Sequence, residues 1–337
     1  AIPPGRVRRT RSPENVVDEM LQLHQDDGVQ IFLFQDDDFS LMSKRDRDWA
    51  SEFLDGLRRT GLDDSVMWKL NCRADEVEPE IFADFKSAGL FLVYLGLESG
   101  NETGLRTLNK HITVEQNRQA VETLKSIGLR YEFGFMLFDP SSTFDLVLEN
   151  VDFLRDICGD GSSPAPFCKM LPYAGTDIEV TLREEGRLHG DVRHPDYGFT
   201  DERLDAWFSY LSDVLHPWVF GTQSLIGHLR WAWFEIDVLQ RFYPDVESLS
   251  EYERRIQFLT GWYNKIFFHI IEDSAAAFDA DWPASHALRS IRSAAERQRA
   301  WLEGQLDCQR AGFFAQTGLP LELVEGGVQR TEEPTAM

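Results

Sequence analysis

Short apolar runs alternate with amphipathic stretches over the first half of the chain. Ser12, Pro13 and Glu14 supply an N-cap, a first-turn proline and a first-turn acid. Val16, Val17, Met20 and Leu21 follow at helical spacing, and Gly28 stops the helix. Apolar runs then fall at 31–34, 66–70, 90–97, 131–138 and 167–171. Between them the spacing predicts helices near 44–60, 79–88, 113–127 and 143–157; in the last two, Val121, Leu124 and Ile127, then Val147, Val151 and Leu154, share a face. Strands alternating with helices imply βαβ units and a parallel sheet. Near-continuous apolar runs suit strands covered on both faces. Right-handed crossovers curl such a chain into a barrel or a doubly wound sheet.

The character changes after about residue 185. From 200 to 311 the pattern is helical and rich in tryptophan: Trp207, Trp218, Trp231, Trp233, Trp262, Trp282 and Trp301. Bulky aromatics at helical spacing predict core rather than a cofactor box. The last residues, 325–337, are rich in Gly, Glu and Thr and predict a disordered tail. The expected domains are therefore 1–188, 189–324 and the tail 325–337.

Charge narrows the function. The net charge of −23 repels phosphate backbones and disfavours a nucleic-acid substrate. The basic run Arg6, Arg8, Arg9 and Arg11 reads as a solvated arm. No apolar run is long enough to span a membrane, and the N-terminus is not a signal peptide. The four cysteines, Cys72, Cys158, Cys168 and Cys308, lack the spacing of a metal or redox motif, which fits a reducing cytoplasm. His189 and His194 read as loop residues rather than metal ligands.

Every apolar run ends in a polar cluster. These are Gln35-Asp36-Asp37-Asp38, Asn71-Cys72-Arg73-Ala74-Asp75, Gly96-Leu97-Glu98-Ser99-Gly100, Asp139-Pro140-Ser141-Ser142-Thr143 and Pro172-Tyr173-Ala174-Gly175-Thr176. Each alone reads as a turn or a helix cap. In a parallel α/β barrel the carboxyl ends of the strands build the active site, so together the clusters predict one mouth.

Taken in order, these motifs resemble the radical S-adenosylmethionine (SAM) family, in its cobalamin-associated form. The resemblance runs over residues 9–188. It rests on Arg11-Ser12-Pro13-Glu14 with the helix behind it and on Phe34, Asp36, Asp37 and Phe39. It rests further on Gly96-Leu97-Glu98-Ser99-Gly100 with Leu108-Asn109-Lys110 and Thr113. Gly134 through Pro140, and Leu171-Pro172-Tyr173-Ala174-Gly175-Thr176 with Glu185-Gly186-Arg187-Leu188, complete it. It implies an α/β fold: a partial (β/α)6 barrel lacking its first strand and cluster loop, followed by a mostly helical C-terminal domain. The family's CxxxCxxC triplet is absent from the chain. Its cysteines are expected upstream of Ala1, and the chain alone is expected not to hold the cluster.

The resemblance implies SAM and a 4Fe-4S cluster as cofactors, with cobalamin through an upstream domain. The reduced cluster cleaves SAM to drive radical modification or methylation of a small molecule, lipid or peptide. An electron donor such as flavodoxin or ferredoxin is implied. Asp37, with Asp36 as the alternate, is expected to accept from the SAM amino group. Arg73 is expected on its carboxylate, and Glu98 and Ser99 on the ribose. Gly100 lets the chain turn away. Phe135 and Leu137 are expected as an adenine wall, and backbone near Tyr173 and Gly175 as readers of its edge. Two other readings stand beside this one. One is a divalent-metal α/β-barrel hydrolase using Asp36, Asp38 and Glu98. The other is a non-catalytic partner protein that keeps the barrel without the cluster.

Overall fold

The structure is a computed structural model, and it describes residues 10–221, 223–279 and 285–319. Arg6, Arg8, Arg9, Trp282 and the expected disordered tail lie outside the described residues.

The chain divides into two units, one joining the residues up to Ile157 with Pro166–Glu202, the other joining Cys158–Ala165 with the chain from Arg203 onward. In the first unit, α1 (Pro13–Asp27) leads into β1 (Ile31–Leu33), α2 (Lys44–Thr60), the short α3 (Leu62–Ser65) and β2 (Met67–Cys72). Then come α4 (Pro79–Ser87), β3 (Leu90–Glu98), α5 (Glu102–Thr107), α6 (Val114–Ser126), β4 (Arg130–Phe135) and α7 (Phe144–Cys158). After α7 follow α8 (Asp177–Glu184) and an antiparallel hairpin of β5 (Leu188–Gly190) and β6 (Pro195–Tyr197).

Local chemistry sets the boundaries. Ser12 caps α1, with Pro13 at its first turn and Gly28 closing it at φ +69°. Ser43 with Asp46, and Thr113 with Gln116, form capping boxes on α2 and α6.

Strands β1 to β4 form one parallel sheet in chain order. Its helices cover one face only. Trp68 packs its ring among Phe53 of α2 and Phe85 of α4, Phe135 stacks on Phe153 of α7, and the Tyr131 hydroxyl donates to the Ile157 carbonyl. The opposite face carries Leu33, Lys69, Asn71, Leu92, Tyr94, Gly96, Glu98, Glu132 and Gly134, all at least partly exposed. One-sided winding is the geometry of a barrel wall, and it decides against the doubly wound sheet. It also replaces the expected burial on both faces by an alternation of buried and half-open positions along β4. The fifth apolar run is a single parallel bridge, Phe138 to Lys169, where Phe138 N–H donates to the Cys168 carbonyl at 3.2 Å.

The second unit is helical: α9 (Glu202–Val219), α10 (Leu225–Phe242), α11 (Leu249–Asp279) and α12 (Ser285–Thr317). Trp207, Trp218 and Trp233 are buried in its core, and two of their indole N–H groups donate to Ser274 and Thr260. Trp262 and Trp301 are instead exposed. Asn264 ties down the loop at 158–165: it accepts from Ala165 N–H at 2.8 Å and donates to the Cys158 and Ser163 carbonyls at 2.6 and 2.9 Å. Gly161, at φ +81°, passes so close to the Gln257 carbonyl that a Cβ would sit 2.1 Å from it.

Candidate SAM site

Hydrogen bonds between neighbouring strand ends assemble the candidate site. The loop after β1 is held by β2: Asn71 Nδ2 donates to the Asp36 carbonyl at 2.6 Å, and Phe39 N–H donates to the Asn71 carbonyl at 2.7 Å. Asp36 and Asp37 are exposed. Asp38 is half-buried, and its charge is felt at Cys72, Arg73 and Glu76. Arg73 grips Asp75 with a fork at 2.9 and 3.0 Å and also donates to the Lys110 carbonyl at 3.3 Å. That fork raises the Arg73 pKa and commits two of its three nitrogens within the protein. Behind it, Glu76 is buried and accepts from Leu41 N–H at 2.7 Å. Burial, with Asp38 and Asp75 nearby, pushes the Glu76 carboxyl up to about 7.

Glu98 ends β3 at φ +65°, a left-handed conformation that costs a non-glycine residue about 1 kcal/mol or more. A register shift against β4 falls at the same place. The carboxylate lies over the inner face, 2.7 Å from the Lys110 ammonium. Lys110 is presented by a turn in which Asn109 and His111 are also left-handed. Beneath the pair, Gly96 and Gly134 are side by side on adjacent strands. A Cβ at Gly96 would come within 3.2 Å of Glu98 Oε1, and one at Gly134 within 3.3 Å of the Tyr94 hydroxyl. The two glycines therefore cut a trough that side chains would fill. Met136 Sδ and Cys168 Sγ, 3.6 Å apart, stand at its rim, and burial together with the Glu98 charge raises the Cys168 thiol pKa.

Other expected residues lie elsewhere. Ser99 has no exposed surface; its hydroxyl is 3.2 Å from Asn150 Oδ1, which also accepts from Gly100 N–H at 2.8 Å and Asn101 Nδ2 at 3.0 Å. These bonds hold the Glu98 turn from behind and leave Ser99 no face for a ribose. Gly100 is required for packing: a Cβ there would lie 2.3 Å from Phe153 Cβ. Phe135 and Leu137 are both buried beneath the helical layer, so neither presents a face to a ligand, and it is Gly134 and Met136 that turn to the inner face. Tyr173 is 65% exposed, and Gly175 turns the chain at φ +84° with open space around it, ahead of the α8 cap at Thr176. Lys110, Gly134, Met136, Cys168 and Tyr94 gather around Glu98 without having been expected there. Period-two alternation groups Glu132, Gly134 and Met136 on one strand face without saying which way that face turns.

The trough suits SAM. It offers a carboxylate for a diol, two glycines that allow close approach, and at its edge the buried Asn71 Oδ1, which has no hydrogen-bond donor among the described residues. An iron–sulfur cluster is not so provided for. Among the described residues no group of His, Cys, Asp or Glu could hold a metal, and the four cysteines range from buried to exposed. The divalent-metal reading with Asp36, Asp38 and Glu98 fails on the same geometry. His189 and His194 sit on the exposed β5–β6 hairpin.

A parallel sheet covered by helices on one face, with a carboxylate raised over paired glycines at its carboxyl edge, is one wall of an α/β barrel. Comparison adds the family likeness: residues 2–154 match the Radical SAM superfamily. This family uses SAM and a 4Fe-4S cluster. The chain is 25% identical over 338 aligned positions to the anaerobic magnesium-protoporphyrin IX monomethyl ester cyclase of Cereibacter sphaeroides, covering 95% of this chain and 53% of that protein. It is 30% identical over 174 positions to an uncharacterized methyltransferase of Pyrococcus horikoshii, covering 52% of this chain and 36% of that protein. The chain thus spans about half, or less, of the length of these relatives. Its fold matches a solved cobalamin-dependent SAM radical enzyme, OxsB with aqua-cobalamin bound, at a TM-score of 0.57 and 14% identity, covering 91% of this chain and 51% of that one.

Proposed function

We propose that this chain forms the SAM-binding barrel wall of a radical SAM enzyme that methylates or cyclises a small molecule. The carrying observation is Glu98, held in a costly backbone conformation that lays its carboxylate over the glycine trough. Strain of this kind persists where the surroundings enforce it, and here Asn150 and Asn117 do so: Asn117 Nδ2 donates to the Leu97 and Ser99 carbonyls on either side of Glu98. Glu98 receives the ribose hydroxyls, and Lys110 keeps it aimed. Asp37, or Asp36 beside it, accepts from the amino group. Arg73 offers the SAM carboxylate its NH1 edge, which makes no hydrogen bond among the described residues. The backbone near Tyr173 and Gly175 reads the adenine edge. SAM, when bound, supplies the carbon–sulfur bond that the reaction breaks.

The names of the relatives, a cyclase and methyltransferases, support this reaction class. For the whole protein we propose a flavodoxin or ferredoxin as electron donor, cobalamin as a further cofactor, and the cytoplasm as its place. No helix among the described residues is long and apolar enough to cross a membrane. We assign no residue of this chain to cobalamin or to the cluster.

The test is calorimetric titration with S-adenosylhomocysteine. The expected result is binding to the wild type and at least about a tenfold loss in Glu98→Gln, the scale of one charge-assisted hydrogen bond. Absence of binding to the wild type, or equal binding to both, refutes the reading.

A further inference from the structure

Lys69 is a cation on the inner face that the SAM site leaves unused. It is level with Leu33 on β1 and Leu92 on β3, and Leu92 is in turn level with Arg130 on β4. Its ammonium stands 5.4 Å from the centroid of the Tyr94 ring. Among the described residues it has neither an ion-pair partner nor a hydrogen bond. Burial lowers its pKa, and the charge of Glu132 opposes that less strongly. A half-exposed ammonium with no ion pair in the fold is open to an anion arriving from solvent.

The surroundings describe that partner. Leu33, 51% exposed, and Leu92 flank Lys69 with apolar surface. One level toward the mouth come Asn71, Tyr94 and Glu132, and above them the paired Gly96 and Gly134. Glu98 closes the upper end, six residues or about 20 Å of strand beyond Leu92. The inner face thus carries the Glu98 carboxylate at its head, paired glycines at its waist beneath Glu98, Lys110 and the Tyr94 hydroxyl, the Tyr94 ring and Glu132 below, and a cation at its foot.

We propose that this face takes a small organic anion, an apolar body ending in a carboxylate or phosphate, with Lys69 receiving the oxyanion. Tyr94 sets the height of the ammonium by holding it against the ring face. With SAM at Glu98, as proposed above, the anion is the substrate. The high negative charge of the chain strengthens the point, since an anion enters such a protein only where a specific cation receives it.

The experiment is calorimetric titration of the full 337-residue chain with phenylbutyrate and phenyl phosphate, and with neutral phenylbutyramide as control. At least one anion is expected to bind about tenfold or more tighter than the amide, and the stronger of the two identifies the oxyanion. Lys69→Met should erase that preference, and Lys69→Arg should keep it within about threefold. Lys69→Met should also melt no lower than the wild type, because it removes a desolvated, unpaired charge. Equal binding of anion and amide, or an anion affinity untouched by Lys69→Met, overturns the proposal. S-adenosylhomocysteine should bind wild type and Lys69→Met alike. If it binds neither while the anion preference holds, the SAM reading falls and the anion site stands.

Discussion

The Lys110 ammonium lies 2.7 Å from Oε1 of Glu98, and the two residues come from opposite sides of the β3–α6 connection. Both are partly screened from water, at 28% and 17% side-chain exposure, so the pair is stronger than an open surface bridge but still modest. Its consequence is positional: it fixes the carboxylate over Gly96. Replacing Lys110 by Met should leave the Glu98 carboxylate free to rotate. S-adenosylhomocysteine affinity is expected to fall about threefold to tenfold, less than in Glu98→Gln. Calorimetry on both variants checks the order.

Glu98 also sets stability against function. Glycine at this position removes a left-handed strain of about 1 kcal/mol and loses an ion pair of similar or smaller worth. Urea unfolding of Glu98→Gly should show stability held or raised while ligand binding disappears. A drop of several kcal/mol would mean that the strain is not as read here.

Ser99 and Gly100 should behave as structural residues. Ser99→Ala is expected to cost about 1 kcal/mol and to leave S-adenosylhomocysteine affinity within about twofold. Gly100→Ala places a Cβ against Phe153 and is expected to cost about 3 kcal/mol. Thermal melts with parallel titrations separate the two effects, and a tenfold affinity loss in Ser99→Ala at unchanged stability would restore the ribose role.

Glu76 gives the fold a pH dependence. Its folded pKa, about 7, is above the ordinary value of 4.5, so between those values the folded state holds the proton more tightly than the unfolded state. Through this group stability is full below about pH 4.5, falls as pH rises toward 7, and is flat above. The whole change is about 3 kcal/mol. Glu76→Gln should flatten the fall, and unfolding at pH 5.5 and 7.5 measures it. An unchanged slope in the variant would assign the fall to other groups.

The helical unit holds a buried acid: Glu235, with no exposed surface, accepts from the Tyr252 hydroxyl at 3.0 Å and from Arg310 Nε at 3.0 Å. Arg310→Met strands that charge and should cost about 3–5 kcal/mol. The double variant Glu235→Leu, Arg310→Met should recover a large part of the loss. A double-mutant cycle in denaturant supplies the coupling.

The order of strands and helices was legible in the sequence because its causes are local. Caps at Ser12, Ser43 and Thr113 and stops at Gly28 and Gly61 act within a few residues of where they stand. The clustering of polar residues at strand ends was legible too, since parallel βαβ connections send successive carboxyl ends to one edge. Which strand face turns inward was not local. Tyr131, Phe133 and Phe135 alternate with Glu132, Gly134 and Met136, and period two alone does not say which set meets the helices. The stack of Phe135 on Phe153 decides it, and so turns Gly134 and Met136 to the inner face. In the same way Ser99 follows Glu98 in sequence yet points into Asn150, because the strained turn between them sends adjacent side chains to opposite layers. The sequence by itself determined which elements form and at which edge chemistry gathers, through short-range backbone preference. Only the tertiary structure decided which side chains reach the trough, because that depends on long-range packing of α7 and α6 against the sheet.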